Sequence, residues 1–194
     1  MSSPNSLHQY SIPILPRKRS FQPIVQLTRH LINQGMRKIG FLCESCSIYE
    51  TMHDRYDGYL YAMKMAELKP IPEHVMPDLG GDDFYFLHTF DAIADGYDEL
   101  PEAVVCGNDE IAKFLTQAFR KKGIRVPEDV AITGFDNDEE GKLDPFFTTV
   151  NVDAKWLGRR MVQCFLWRIQ NPTAPYEKIE VSGQVIIRKS SCRG

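Results

Sequence analysis

The sequence predicts an α/β domain built as a parallel sheet with helices on both faces. Three observations predict it. Residues 103–137 hold two short apolar runs, Ala103–Cys106 and Val130–Thr133; between them Ile111, Leu115, Ala118 and Phe119 recur at helical spacing. Such a strand–helix–strand unit is almost always parallel and right-handed. Strand-like and helix-like stretches also alternate through most of the chain, the order expected of a parallel sheet covered on both sides. Each strand-like run ends in polar residues or glycine: Glu44–Ser47, Asp78–Asp83, Gly107–Asn108 and Gly134–Asp136. In open parallel sheets, ligands bind beyond these carboxyl ends.

Residues 1–20 carry Pro4, Pro13, Pro16 and several serines and read as a poorly ordered lead-in. Arg17, Lys18 and Arg19 are too few to make a nucleic-acid arm. Ile24, Leu27, Leu31 and Ile32 mark one face of a helix that stops at Gly35, and Ile39–Cys43 follows as a strand. Cys43 and Cys46 form a C-x-x-C pair, but no second pair or suitably spaced histidines accompany it, which leaves a zinc site half its ligands. The pair opens a loop, whereas a thioredoxin-type motif opens a helix.

Met52, Tyr56, Tyr59, Leu60, Met63 and Ala66 trace the next helix. Arg55, in its first turn, points towards the end of the preceding strand, where a guanidinium can fork onto two ligand oxygens. The alternative is an Arg–Asp surface pair of little energetic consequence. Pro70 and Pro72 end this unit. Val75 and Met76 form a short strand, and Phe84, Leu87 and Phe90 begin a helix that Ile93 and Ala94 continue. Lys121, Lys122 and Gly123 give the helix of the 103–137 unit a C-terminal stop.

Beyond Asp136 the alternation breaks. A polar loop leads to the apolar run Thr148–Val152, then to an amphipathic helix from Asp153 or Ala154 to Gln170. Trp156, Leu157, Met161, Cys164, Phe165 and Ile169 share one side of it, and Asn171–Pro172 stops it. Glu180–Arg188 reads as the final strand.

Composition narrows the function. The 194 residues are 43% hydrophobic and 25% charged, an ordinary globular balance. A net charge of −3 and a pI near 6.0 argue against this chain alone gripping a nucleic-acid backbone. No apolar run approaches the ~20 residues needed to cross a membrane. The first residues lack the pattern of a secretory signal. Five cysteines, an odd number, fit reduced thiols in a cytoplasm.

Two strand ends deliver an amide, Asn108, and a carboxylate, Asp136, each beside a glycine or close to one. Together they suit a small polar ligand. The plainer alternatives stand beside that reading: Asn108 caps its helix, and Asp136 makes a turn. Asp136, Asp138, Glu139 and Glu140 crowd one loop but match no calcium-loop spacing, and no Ser-His-Asp or Cys-His arrangement points to an enzyme.

The runs CGNDEIA, KKGIRVPEDVAITGFDN, DPFFTTVNVD, WLGRR and VIIRKSSC, with HLINQGMRKIGFL and DRYDGYLYAM earlier, resemble the lactose-repressor (LacI/GalR-type) family in order and spacing. The resemblance covers roughly residues 20–192 and implies a type I periplasmic-binding-protein-like sensor, in which two α/β lobes close on a small ligand. Against that pattern, the sequence lacks the helix-turn-helix headpiece and most of the first lobe. Residues 21–194 then form an effector-binding domain: 21–147 the second lobe, and 148–194 the crossover, return helix and final strand.

The resemblance further implies a cytoplasmic transcriptional regulator that is not an enzyme and needs no cofactor or metal. It implies a sugar or similar small molecule as effector, DNA contact only through a headpiece, no membrane partner, and a homodimer paired through the helix after Asn108 and the loop before Thr148. Carried over by motif, Arg55 grips ligand oxygens, Asn108 supplies an amide, Asp136 accepts from hydroxyls, and Phe84 (or Tyr85) stacks on the ligand. These planar groups engage adjacent hydroxyls in pairs, and an aromatic face covers a sugar's C–H side. A purine would use the same groups differently. Two other readings share the fold: a sensor attached to another output domain, and a transport-type sugar-binding protein.

Overall fold

The computed structural model describes residues 20–79, 87–138, 145–175, 177, 179 and 181–192. Four parallel strands form the main sheet in the order β2-β1-β3-β4: β1 (Ile39–Leu42), β2 (Val75–Met76), β3 (Ala103–Cys106) and β4 (Ala131–Thr133). Every residue of β1, β3 and β4 is buried, which explains why these strands read as unbroken apolar runs.

Because successive side chains point to opposite faces, the sheet sorts its own residues into two cores. Phe41, Ala103, Val105 and Ala131 face one way, against Ile24, Leu27 and Leu31 of α1 (Phe21–Asn33) and Tyr59 and Met63 of α2 (Glu50–Met65). Leu42, Val104, Cys106 and Ile132 face the other way, against Phe90 and Ile93 of α3 (Leu87–Asp95) and Ile111, Leu115 and Phe119 of α4 (Asp109–Lys121). Helix α1 ends at Gly35 with φ 91° and α4 at Gly123 with φ 76°, the left-handed conformation that glycine adopts without steric cost.

The chain then leaves the parallel pattern. Strand β5 (Thr149–Asn151) pairs antiparallel with β6 (Gln184–Ile186), and single parallel bridges at Thr133–Thr148 and Asp136–Asn151 tie β5 to the end of β4. The last turn anchors firmly. Ser190 Oγ donates to the Ile132 carbonyl at 2.6 Å and accepts from the Thr148 amide at 2.8 Å, and Ser191 meets His30 and Thr148. The final strand is shorter than the expected 180–188; its pairing starts at Gln184, just past Gly183, where a Cβ would lie 2.3 Å from Val150 Cγ1.

Helix α5 (Ala154–Gln170) spans the predicted residues, with Asp153 capping it by accepting from the Trp156 amide at 2.8 Å. None of its residues is buried, and Phe165 is 66% exposed. Its amphipathic sequence therefore has a face with no cover among the described residues. No helix among the described residues is long and apolar enough to cross a membrane. The expected lead-in, apart from Ser20, and the loop that holds Phe84 and Tyr85 lie outside the described residues.

Candidate ligand-binding site

The sheet register builds the site. Leu42 pairs with Cys106 and Val105 with Thr133. Extending these registers past the strand ends puts Glu44, Asn108 and Asp136 in one row across three adjacent strands. Neighbouring strands lie about 4.8 Å apart, so the three side chains begin within reach of one another.

Asn108 joins two elements. Its Oδ1 accepts from the Ile111 amide at 2.9 Å and caps α4, while its Nδ2 donates to Glu44 Oε2 at 2.9 Å. The capping reading of Asn108 is thus literally correct, and it leaves the amide nitrogen turned to the row. Asp136 has φ 99°, in the left-handed region, and holds a single parallel bridge to Asn151 in place of a simple turn, its amide donating to the Val150 carbonyl at 3.0 Å. This strained backbone lifts the carboxylate outward, so the side chain is 49% exposed.

Arg55 comes from the first turns of α2 and lies beneath the row, only 6% exposed. Its Nη1 donates to the Gly107 carbonyl and its Nη2 to Asp136 Oδ1 at 3.4 Å, and its guanidinium carbon sits 3.7 Å from the centre of the Phe135 ring. The surface-pair alternative for Arg55 fails on this burial. Its Nε is buried with no partner among the described residues. Burial pushes Arg55 down from its usual value and Asp136 pulls it back, though a guanidinium stays protonated. Burial raises Asp136 and Glu44, and in both the nearby Arg55 opposes the rise.

Beside Arg55 and Asp136 opens a cavity of about 150 Å³, lined also by Thr51, Phe135, Val152 and Leu157. A larger cavity, about 330 Å³, is lined by Thr116, Arg120, Ile124, Arg125, Phe146 and Lys189. It lies at the amino end of β4, the wrong edge of a parallel sheet for a ligand. Cys43 and Cys46 are buried free thiols below the row, and Cys46 Sγ donates to the Met52 carbonyl at 3.4 Å. Among the described residues, no group of three or more His, Cys, Asp or Glu side chains gathers as metal ligands would.

The profile of the periplasmic-binding-protein-like domain family matches residues 28–191. The chain belongs to this family. Among curated proteins it is similar to the HTH-type transcriptional repressor PurR of Haemophilus influenzae strain PittEE, 34% identical over 172 residues, covering 84% of this chain and 49% of the relative. A LacI-type regulator from Bacillus cereus subsp. cytotoxis superposes with a TM-score of 0.79 at 22% identity, over 91% of this chain and 62% of that one. A LacI-family regulator from Enterococcus faecium with bound ribose superposes with a TM-score of 0.75 at 24% identity, over 89% and 63%. The chain spans about half the length of the curated relatives it matches. These relatives are transcriptional regulators, and the fold expected from the LacI/GalR resemblance is the fold observed.

Within this periplasmic-binding-protein-like chain, Arg55, Asn108 and Asp136 converge at one carboxyl edge, as the sequence predicts. Phe84 is outside the described residues, so the stacking aromatic is not placed. Glu44 bonds Asn108, and Thr51 and Phe135 line the cavity with Arg55 and Asp136; none of the three was among the sequence-based candidates. For Glu44 a signal existed: it follows β1 two residues on, as Asn108 follows β3. Thr51 and Phe135 carry no comparable mark.

Proposed function

We propose that this chain is the effector-binding module of a LacI/GalR-type transcriptional regulator. It takes a small hydroxyl-rich molecule such as a sugar between Arg55, Asn108 and Asp136, with Phe84 as the stacking aromatic. The full-length regulator holds operator DNA through a separate headpiece, works as a cytoplasmic homodimer, and catalyses no reaction. The observation that carries the reading is Arg55: a guanidinium 6% exposed, backed by Phe135, with an Nε that has no partner among the described residues and a half-exposed carboxylate beside it. Burying a cation so deeply is costly, and the arrangement suits a site that holds a donor–acceptor array in place for a ligand.

The geometry explains the chemistry. Arg55 donates to ring or hydroxyl oxygens, and Asp136 accepts from adjacent hydroxyls with both oxygens. The cavity of about 150 Å³ is smaller than the ~300 Å³ at which ligand pockets usually begin, as expected of one wall of a two-lobed cleft. The ribose carried by the Enterococcus faecium regulator, which shares this fold, supports the sugar class.

The test is titration calorimetry with sugars, sugar phosphates and purines, on the parent and on Asp136→Asn. Asparagine tolerates the positive φ of this position, so the fold is kept. It turns one acceptor into a donor facing a hydroxyl that already donates. Loss of a charge-assisted hydrogen bond weakens binding by roughly tenfold to a hundredfold. Equal affinity in parent and variant would leave Asp136 its backbone role and nothing more.

A further inference from the structure

We infer that Glu44 sets the ligand class of this site: it takes an amino sugar, whose protonated amine meets Glu44 and whose hydroxyls meet Asp136 and Arg55, and it refuses sugar phosphates. The inference rests on the ligand position proposed above and deepens it.

The first observation is the state of Asn108. Its oxygen is committed to the α4 cap and one of its two amide hydrogens to Glu44, so the middle of the row presents a carboxylate beside a single free N–H. Glu44 Oε2 takes the Asn108 amide, and among the described residues Oε1 meets no donor. A half-buried carboxylate with an open oxygen calls for a donor, and the strongest donor for it is a cation.

The second observation is the charge count. The row holds two carboxylates, Glu44 and Asp136, against one guanidinium, and that guanidinium is already turned to Asp136 and to the Gly107 carbonyl. Glu110, in the first turn of α4, adds a further negative charge that Glu44 feels. The nearest ammonium on α4, Lys113, is held by Asp138 at 2.5 Å. Among the described residues the site therefore carries excess negative charge on partly desolvated groups. Desolvation and the neighbouring carboxylates both raise the Glu44 carboxyl, and a ligand ammonium would relieve both penalties. A phosphate would add repulsion to the same groups.

The test uses the 194-residue chain near neutral pH, with calorimetry and thermal shift. The probes are two matched trios: glucosamine, glucose and glucose 6-phosphate; galactosamine, galactose and galactose 1-phosphate. In at least one trio the amino sugar binds roughly tenfold or more tighter than its neutral parent, and the phosphate weakest. In Glu44→Gln the Asn108 contact survives, because the glutamine oxygen accepts the same hydrogen bond. The amine preference, read as the ratio of amino-sugar to neutral-sugar affinity in each trio, then falls to about one. A neutral sugar or a phosphate binding best in the parent overturns the inference. So does an amine preference that Glu44→Gln leaves intact. If no member of either trio binds, the proposed sugar site fails and the inference with it. If sugars bind without the Glu44-dependent order, only the inference fails.

Discussion

Asp109 is the residue on which the strand ends lock together. Its Oδ1 accepts from the Thr149 hydroxyl at 2.7 Å, its Oδ2 from the Asp138 amide at 3.2 Å, and its own amide donates to the Phe135 carbonyl at 2.9 Å. The residue is 3% exposed, and desolvation pushes its carboxyl up to about 6 despite those two donors. A carboxyl whose folded pKa exceeds its unfolded pKa binds its proton more tightly in the folded state. Its ionisation therefore costs stability as pH rises from about 4 to about 6, by an amount on the order of 3 kcal/mol. Asn in its place can still accept from Asp138 and donate to the Thr149 oxygen. We predict that Asp109→Asn is more stable than the parent at neutral pH, and that the difference shrinks as pH falls through that window. Urea unfolding at several pH values measures this; a difference independent of pH would show that Asp109 ionises in the folded state as readily as in the unfolded chain.

At the scale of elements, the junction between β3 and α4 serves stability and binding at once. Asn108 caps α4 with its oxygen and reaches the row with its nitrogen, so substitutions can separate the two roles. Serine caps as well as asparagine but has no amide to offer Glu44. We predict that Asn108→Ser changes stability by less than about 0.5 kcal/mol yet weakens sugar binding, whereas Asn108→Ala loses about 1 kcal/mol of stability as well. Thermal melts beside calorimetry check this; a serine variant with parental affinity would confine Asn108 to the cap.

Most elements were legible in the sequence, because fully buried parallel strands read as apolar runs and the helices read at their own period. The run Val130–Thr133 read as a buried strand, and Ala131–Thr133 is one. Helix α5 shows the limit. Its amphipathic period was plain, but a pattern states which side wants cover, not whether this chain supplies it, and here none of its residues is buried.

For the molecule as a whole, a long-range property assembles the site: the strand order β2-β1-β3-β4, which places β1 and β4 on either side of β3. Arg55, Asn108 and Asp136 were legible because each is marked locally, by a helix start or a strand end. The particular contacts, Arg55 with Asp136 and Asn108 with Glu44, were not, since they depend on which strands neighbour which. Glu44 escaped for the same reason: its bond to Asn108 exists only because the β1 and β3 registers align. The seat of Arg55 on Phe135 depends on how the chain turns after β4. The account's central claim is that a ligand sits at the carboxyl edge, on this row, and not in the larger cavity at the other end of β4. Chemical-shift mapping tests it most directly, titrating the labelled 194-residue chain with the sugar that calorimetry ranks tightest. The account predicts shifts in the Arg55 Nε–H, the Asn108 side-chain amide and the backbone amides of Glu44 and Asp136. Shifts centred instead on Thr116, Ile124, Arg125 and Lys189 would contradict it.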